Sequence, residues 1–176
     1  MKKLFLIITA VSFFAVSCEL VDKLTQFDMD YDSSFTVNSG IPANIPFDIV
    51  TPVIQTNSES TFEEEKTAKN LIEEISLKEL RLVITTPADA NLDFLNKIEL
   101  YIKADGMDEV MIAWADNIPA GTTDLNMEVE SVNLKGFLLA DEYQLRIKTT
   151  TDEPITKDID IDIKSVFHVN ASILGI

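Results

Sequence analysis

Apolar and polar residues alternate along most of the chain, and a period of two residues is typical of half-buried β-strands. Near the start, Phe27, Met29 and Tyr31 alternate with three aspartates, and a turn is predicted after them at Ser33 and Ser34. Further alternating runs lie at 80–85, 98–103, 110–115, 125–129 and 143–148. The pattern therefore predicts an all-β fold.

Two segments predict special positions in the sheets. Prolines interrupt the apolar stretch around Phe47, so any strand over 47–54 is predicted to lie at a sheet edge. The tail from Ile155 is the most regular run, with apolar residues at most odd positions. A straight strand of that length would span roughly 60 Å, well beyond the ordinary strand of about six residues. We therefore expect the tail to bend near Lys164 and Ser165 and to serve two sheets.

One helix is predicted over 60–75. Ser60 precedes Glu63 by three positions, which is the spacing of a capping box. An i, i+3, i+4, i+7 stripe follows at Ala68, Leu71, Ile72 and Ile75. Together the elements predict an antiparallel β-sandwich of about seven to nine strands, immunoglobulin-like or jelly-roll-like, with one short helix.

The N-terminus has the pattern of an export signal. Two lysines precede an apolar run over 4–16, and small residues then lead to Cys18, which is the only cysteine of the chain. The ending Ala15-Val16-Ser17-Cys18 resembles the lipobox of bacterial lipoproteins. With acidic residues directly after the cysteine, it is similar to the relaxed form of Bacteroidota-type bacteria. An ordinary cleaved signal with a coincidental cysteine is the alternative.

The lipobox resemblance implies an organisation and a location. Residues 1–17 would be the signal peptide, 18–24 the lipid anchor and tether, and 25–176 the β-sandwich domain. Cys18 would be acylated, for example with palmitate, and would become the first residue of the exported protein. The membrane partner would be reached through this lipid, and the protein would be anchored to the bacterial outer membrane or the cell surface.

The charge of the chain excludes some partners. It carries 14 lysine and arginine residues against 30 aspartate and glutamate residues, a formal net charge of −16. An acidic surface repels phosphate, so nucleic acid is not predicted as a partner, and neither is anionic lipid bound by a basic face.

The sequence contains little that is typical of catalysis. His168 is the single histidine, and it falls on the polar side of the tail's alternation. No G-x-S-x-G, H-E-x-x-H or phosphate-binding glycine loop occurs, so neither an enzyme nor a cofactor is predicted. A pair among the many carboxylates leaves a glycan hydrolase as an alternative.

Two rows of aspartates are candidate metal ligands. Asp28, Asp30 and Asp32 resemble the opening of an EF-hand loop, but Ser33 stands where that loop needs glycine and Ser39 where it needs glutamate. A solvated strand face is therefore the preferred interpretation, with calcium as the alternative. The same applies to the second row, Asp158, Asp160 and Asp162.

Exposed aromatic rings would be needed for a sugar ligand. Trp114 shares its parity with Val110 and Ile112 and is predicted to lie in the core. Tyr101 shares its face with Glu99 and a lysine, which makes it the better candidate for ligand binding.

These observations favour a lipid-anchored cell-envelope β-sandwich that acts as a non-catalytic binding or structural module. Its partner would be an envelope protein or a glycan. The first alternative is a surface or assembly subunit that pairs through an unpaired edge strand, either the tail or the segment near Phe47. The second is the carboxylate-dependent glycan hydrolase.

Overall fold

The computed structural model describes residues 25–65 and 67–172, which form β-strands, two short α-helices and a 3₁₀ turn. The strands are β1 (Gln26–Val37), β2 (Pro46–Val50), β3 (Ile54–Gln55), β4 (Ile72–Thr86), β5 (Leu95–Lys103), β6 (Val110–Asp116), β7 (Asp124–Asn126), β8 (Glu128–Val129), β9 (Glu142–Thr151) and β10 (Ile159–Ala171). The helices are α1 (Ser58–Glu64) and α2 (Lys135–Leu139), and the 3₁₀ turn covers Lys69–Leu71. The proposed signal peptide, Cys18 and the tether lie outside the described residues.

The strands form two antiparallel sheets. The first has the order β1-β10-β4-β7, and the second has the order β2-β9-β5-β6-β8, with β3 also paired to β9. The inward residues of both sheets belong to one hydrophobic core. The predicted antiparallel β-sandwich is therefore confirmed. The described part of the chain has no helix with the length and apolar character that crossing a membrane requires.

A cluster of three aromatic rings joins the two sheets in the core. Tyr31 of β1 and Phe167 of β10 come from the first sheet, and Tyr143 of β9 comes from the second. Their ring centroids are 5.7 to 6.3 Å apart with edge-to-face geometry, which aromatic pairs prefer. The Tyr31 hydroxyl donates a hydrogen bond to the Thr56 carbonyl oxygen at 2.5 Å, and burial raises the pKa of Tyr31 to about 12.

The expected bend of the tail is wrong. β10 runs through Lys164 and Ser165 without a break and pairs within the first sheet alone, between β1 and β4. Ser165 is buried, opposite Tyr31 on one side and Leu80 on the other. Ser165 interrupts the run of apolar residues at odd positions in the sequence. In the structure it still faces inward like Ile163 and Phe167 on either side of it. The tail is consequently not the free edge that the assembly alternative required.

The predicted helix over 60–75 is wrong over most of its length. α1 ends at Glu64, and Ile72 and Ile75 belong to strand β4. They are three residues apart because the register with β10 shifts between Asn170 and Ala171. Such a β-bulge places two residues opposite one, so that inward residues become three apart instead of two. A bulged strand thus imitated the spacing of a helical stripe.

The predicted capping box is wrong as well. Asn57 precedes α1 in the left-handed conformation, with φ of 46° and no side-chain cap. Ser60 lies inside the helix, and its hydroxyl donates to the Asn57 carbonyl oxygen at 2.8 Å. The serine therefore bonds backward to a carbonyl group, as serines within helices do, instead of accepting a bond from an N–H group.

Two further expectations concern the edges of the sheets. The segment near Phe47 forms β2, which ends the order of the second sheet, so its predicted edge position is confirmed. The turn predicted at Ser33 and Ser34 is wrong, because β1 continues to Val37. Pairing with β10 is in register over all twelve residues of β1 and overrides the turn preference of the two serines.

Candidate functional site

The outward side of the second sheet carries aromatic and charged side chains at adjacent positions. Glu99 of β5 lies between Lys148 of β9 and Trp114 of β6, and Tyr101 lies opposite Arg146. We call these five residues the aromatic face. They point away from the core because the residues that alternate with them on β5 are fully or almost fully buried, namely Ile98, Leu100 and Ile102.

The position of Trp114 corrects the sequence analysis, which had predicted it in the core. The register of β6 with β5 shifts so that Ala113 lies opposite Leu100 and Met111 opposite Tyr101, which leaves Ile112 as an extra residue. Before this bulge the even-numbered residues of β6 face the core, and after it the odd-numbered residues do. Ala113 is buried with the core, and Trp114 is half-buried on the outward face.

Tyr101 lies on the outward face, where its sequence neighbours predicted it, and is half-buried there. The Arg146 guanidinium carbon lies 4.7 Å from the centre of its ring, within the range of a cation–π contact. The Tyr101 hydroxyl donates to Glu99 Oε2 at 2.9 Å. Desolvation raises the pKa of Tyr101, and the bond to Glu99 raises it further. Both contacts fix the orientation of the ring.

Arg146 is the central residue of this arrangement, and sequence reasoning did not single it out. Its Nε and Nη2 donate to the two carboxylate oxygens of Glu109 at 2.8 and 2.5 Å, and Nη1 donates to Asp48 at 2.9 Å. The bonds to Glu109 raise the pKa of Arg146 and lower that of Glu109. A two-pronged pair of this kind holds a guanidinium in a defined plane. Arg146 is therefore positioned before any ligand arrives.

Lys97 adds another ion pair at the border of the aromatic face. Its ammonium group lies 2.6 Å from Glu99 Oε1, and it lowers the pKa of Glu99. The outward side of β5 and β9 thus carries four cations, Lys97, Lys103, Arg146 and Lys148. Lys97 and Arg146 are paired with carboxylates, and the cations are concentrated here although the chain as a whole is strongly acidic.

The first row of aspartates lies on the outward side of the other sheet, at the edge strand β1. Asp28 is 2.5 Å from the Lys78 ammonium and 2.8 Å from His168 Nδ1, and the bond to Lys78 is the main cause of its lowered pKa. Asp30 and Asp32 are exposed and lie opposite Val166 and Lys164. The structure therefore places Asp28 in ion pairs and the other two in a row along the strand.

The second row of aspartates engages neighbouring backbone and hydroxyl groups. Asp158 accepts a hydrogen bond from the Ser39 backbone N–H at 2.7 Å, and Asp160 accepts one from the Thr36 hydroxyl at 2.7 Å. Asp162 lies opposite Ser34 on β1. Within the described ranges, no three His, Cys, Asp or Glu side chains come together in a group that could hold a metal ion.

His168 lies on the outward face of β10, between Asp28 on one neighbouring strand and Ser76 on the other. Its imidazole contacts Asp28, which Lys78 also binds. The carboxylate is thus shared between the Lys78 ammonium group and the imidazole instead of serving the histidine alone. That the protein is not an enzyme stays a prediction.

Comparisons with known proteins give only distant structural likenesses. No protein-family model and no curated protein matches the chain. It is similar to a solved structure of Turnip yellow mosaic virus, at 10% identity and a TM-score of 0.28, with 85% of this chain and 98% of that chain covered. A structure of Desmodium yellow mottle tymovirus has 12% identity and a TM-score of 0.31, with 86% and 85% covered.

A third likeness is to a structure of carbohydrate-binding modules from the β-sandwich superfamily. It has 12% identity and a TM-score of 0.27, with 84% of this chain and 55% of that chain covered. At such low scores no function follows from any of these likenesses. The assignment to the β-sandwich class rests on the two sheets of the chain itself.

Proposed function

We propose that this protein is a lipid-anchored module of the bacterial cell envelope that binds a neutral oligosaccharide on its aromatic face, without catalysing a reaction on it. The observation that carries the proposal is the outward position of Trp114, opposite Glu99 and diagonally across the β5–β6 ladder from Tyr101. Two aromatic side chains on the outward side of the same sheet contribute nothing to the core, and grouped aromatic side chains on a surface are typical of binding sites.

The surroundings of the rings support a ligand that is both apolar and rich in hydroxyl groups. A sugar ring has an apolar side formed by C–H groups, which can pack on an aromatic ring, and hydroxyl groups at its rim. Glu99, Arg146 and Lys148 border the rings and offer charged acceptors and donors, which make stronger hydrogen bonds than neutral groups. Because Arg146 and Tyr101 already hold each other, little side-chain entropy is lost on binding.

The charge distribution favours a neutral ligand over an anionic one. The net charge of −16 repels acidic polysaccharides from the molecule as a whole. Two of the basic groups on and beside the aromatic face are already paired with carboxylates, Arg146 with Glu109 and Lys97 with Glu99. Neither of these two cations is free for an anionic ligand.

The proposed anchor rests on the lipobox-like segment that ends at Cys18. If Cys18 is the first mature residue, the residues from 18 to 24 extend over at most about 25 Å before the strand that begins at Gln26. Such a short tether would keep the sandwich close to the membrane surface. There it would bind either a glycan that belongs to the envelope or a free oligosaccharide that arrives at the membrane.

We expect Trp114→Ala to weaken oligosaccharide binding by about tenfold or more, because a buried aromatic contact commonly dominates a small interface. A panel of neutral gluco-, xylo- and manno-oligosaccharides is titrated by calorimetry. Trp114 is the only tryptophan, so the emission of the unaltered protein should change in the same titrations. Val83→Ala, on the outward side of the first sheet, is the matched control and should bind normally. Equal affinity of Trp114→Ala, or no binding to any member, would refute the proposed ligand.

We expect Cys18→Ala to abolish incorporation of labelled palmitate and to move the protein from the detergent phase to the aqueous phase. The thiol is the only one in the chain, so no second cysteine can replace it. Ser17→Ala keeps a small residue before the cysteine and should remain labelled. A Cys18→Ala protein that still carries the lipid label would contradict the proposed anchor, while leaving the test of the aromatic face unaffected.

A further inference from the structure

Strand β1 is a long sheet edge whose free side is not paired by any other strand that the structure describes. It spans the twelve residues Gln26–Val37, whereas the other terminal strands of the two sheets, β2, β7 and β8, have five, three and two residues. Among the described strands it pairs with β10 alone. Edge strands are usually blunted by short length, charged side chains, proline or a bulge; β1 is long, has no proline and pairs in a register without shifts, and its exposed aspartates are its one such device.

The free side of β1 borders a groove of about 660 Å³. One wall is the stretch of β1 from Asp28 to Ser34, and the opposite wall is the segment from Pro52 to Thr56. Tyr31 bridges the walls through its bond to the Thr56 carbonyl oxygen. Val53 is 46% exposed on the second wall, and Pro52 beside it is exposed too. The groove therefore combines a strand edge with two exposed apolar side chains, Pro52 and Val53, on the opposite wall.

Alternate residues of β1 direct their N–H and C=O groups away from β10, toward this groove. The seven residues from Asp28 to Ser34 extend over about 23 Å, which matches an added strand of similar length. Asp30 and Asp32 are exposed on the outward side of the same stretch. An added strand would place every second side chain beside these carboxylates and the others over Pro52 and Val53.

We infer that β1 accepts an added strand from a partner polypeptide whose extended segment alternates basic residues with small apolar ones. The backbone ladder supplies the attachment, and the two kinds of side chain supply the specificity. A second copy of this chain is disfavoured as the occupant, because antiparallel pairing of two β1 strands would bring their aspartates together, and like charges directly opposite each other destabilise a sheet. The inference concerns the first sheet and does not depend on the ligand of the aromatic face.

The test uses a labelled peptide of four Lys-Val repeats with blocked ends and the protein expressed from its full chain. In about 150 mM salt, where long-range attraction is screened, we expect saturable binding by fluorescence anisotropy. Amide hydrogen exchange should slow in the 28–34 stretch of β1. A peptide of the same sequence with every backbone nitrogen methylated keeps its charges but has no N–H group to donate to the ladder on either edge, and it should not bind.

Charge reversal tests the proposed chemistry of the partner. The double variant Asp30→Lys, Asp32→Lys should bind the Lys-Val peptide about tenfold more weakly or worse, and should gain binding of a Glu-Val peptide. The control variant Asp105→Lys, Asp108→Lys makes the same charge change in the turn between β5 and β6 and should bind as the unaltered protein does. Equal binding of the methylated peptide, protection at β2 instead of β1, or an unaffected Asp30 and Asp32 variant would overturn the inference.

Discussion

Deletion of Ser76 is expected to abolish cooperative folding, whereas deletion of Lys78, two residues away on the same strand, should be tolerated. In β4, Leu77 lies opposite Phe167 and Glu79 opposite Val166, so Lys78 is the extra residue of a bulge. Removing it restores regular alternation and leaves Leu77 in the core. Ser76 has its own partner, His168. Its removal therefore exchanges the inward and outward sides of the residues that precede it in β4.

The expected loss follows from the residues that change sides. Even if the bulge near Glu73 absorbs the shift, deletion of Ser76 turns Ile75 outward and Glu74 into the core. Exposing a fully buried isoleucine costs about 1.5–3 kcal/mol, and burying an unpaired carboxylate costs more. The two costs together would remove much of a domain's free energy of unfolding, which is roughly 5–15 kcal/mol.

Urea denaturation followed by circular dichroism distinguishes the two deletions. The protein without Lys78 should keep a single cooperative transition, with the loss limited to its exposed ion pair with Asp28. The protein without Ser76 should show no transition or should fail to accumulate in soluble form. Equal urea midpoints for the two would mean that the bulge at Lys78 is wrongly placed.

Phe167→Ala is expected to lower the free energy of unfolding by about 3–5 kcal/mol, the usual range for a buried phenylalanine. Phe167 is fully buried and contacts the rings of Tyr31 and Tyr143. Its loss leaves a cavity at the point where the two sheets meet, and the rings around it cannot collapse without moving a strand.

The measurement is the urea midpoint together with the slope of the transition. Lys164→Ala is the control, because this residue lies three positions earlier on β10 and is exposed; its substitution should change the free energy of unfolding by no more than about 0.5 kcal/mol. A change in Phe167→Ala as small as that of the control would show that the three rings do not hold the sheets together.

The amount of the fold that could be predicted depends on how regular each strand is. β1, β5 and β9 alternate strictly over most of their length, and the inward residues of the predicted runs 27–31, 98–103 and 143–148 were predicted correctly from period two alone. β4 contains bulges, and its Ile72 and Ile75 were predicted in a helix. A bulge is a property of a strand pair, so it leaves no unambiguous mark on either strand by itself.

The aromatic face illustrates the same limit at the candidate site. Tyr101 could be placed because its neighbours on β5 alternate without a break. For β6 both parities were apolar, with Val110, Ile112 and Trp114 on one and Met111, Ala113 and Ala115 on the other. The small size of the two alanines is the one signal that could have suggested them as the inward residues facing large side chains of β5. Arg146 had no such signal, because its partners Glu109 and Asp48 are 37 and 98 residues away in sequence.

The local order of residues was sufficient to establish the all-β class, the edge position of the segment near Phe47 and the strongly acidic charge. These follow from side-chain alternation, from prolines that cannot donate a ladder hydrogen bond and from simple counting, none of which needs a partner strand. Pairing between strands decided the rest. The bulge at Ile112 turned Trp114 outward, and the central position of β10 left β1 as the long edge. Register and strand order arise from contacts between residues far apart in the chain, so only the tertiary structure could determine which surfaces are available to a ligand or a partner.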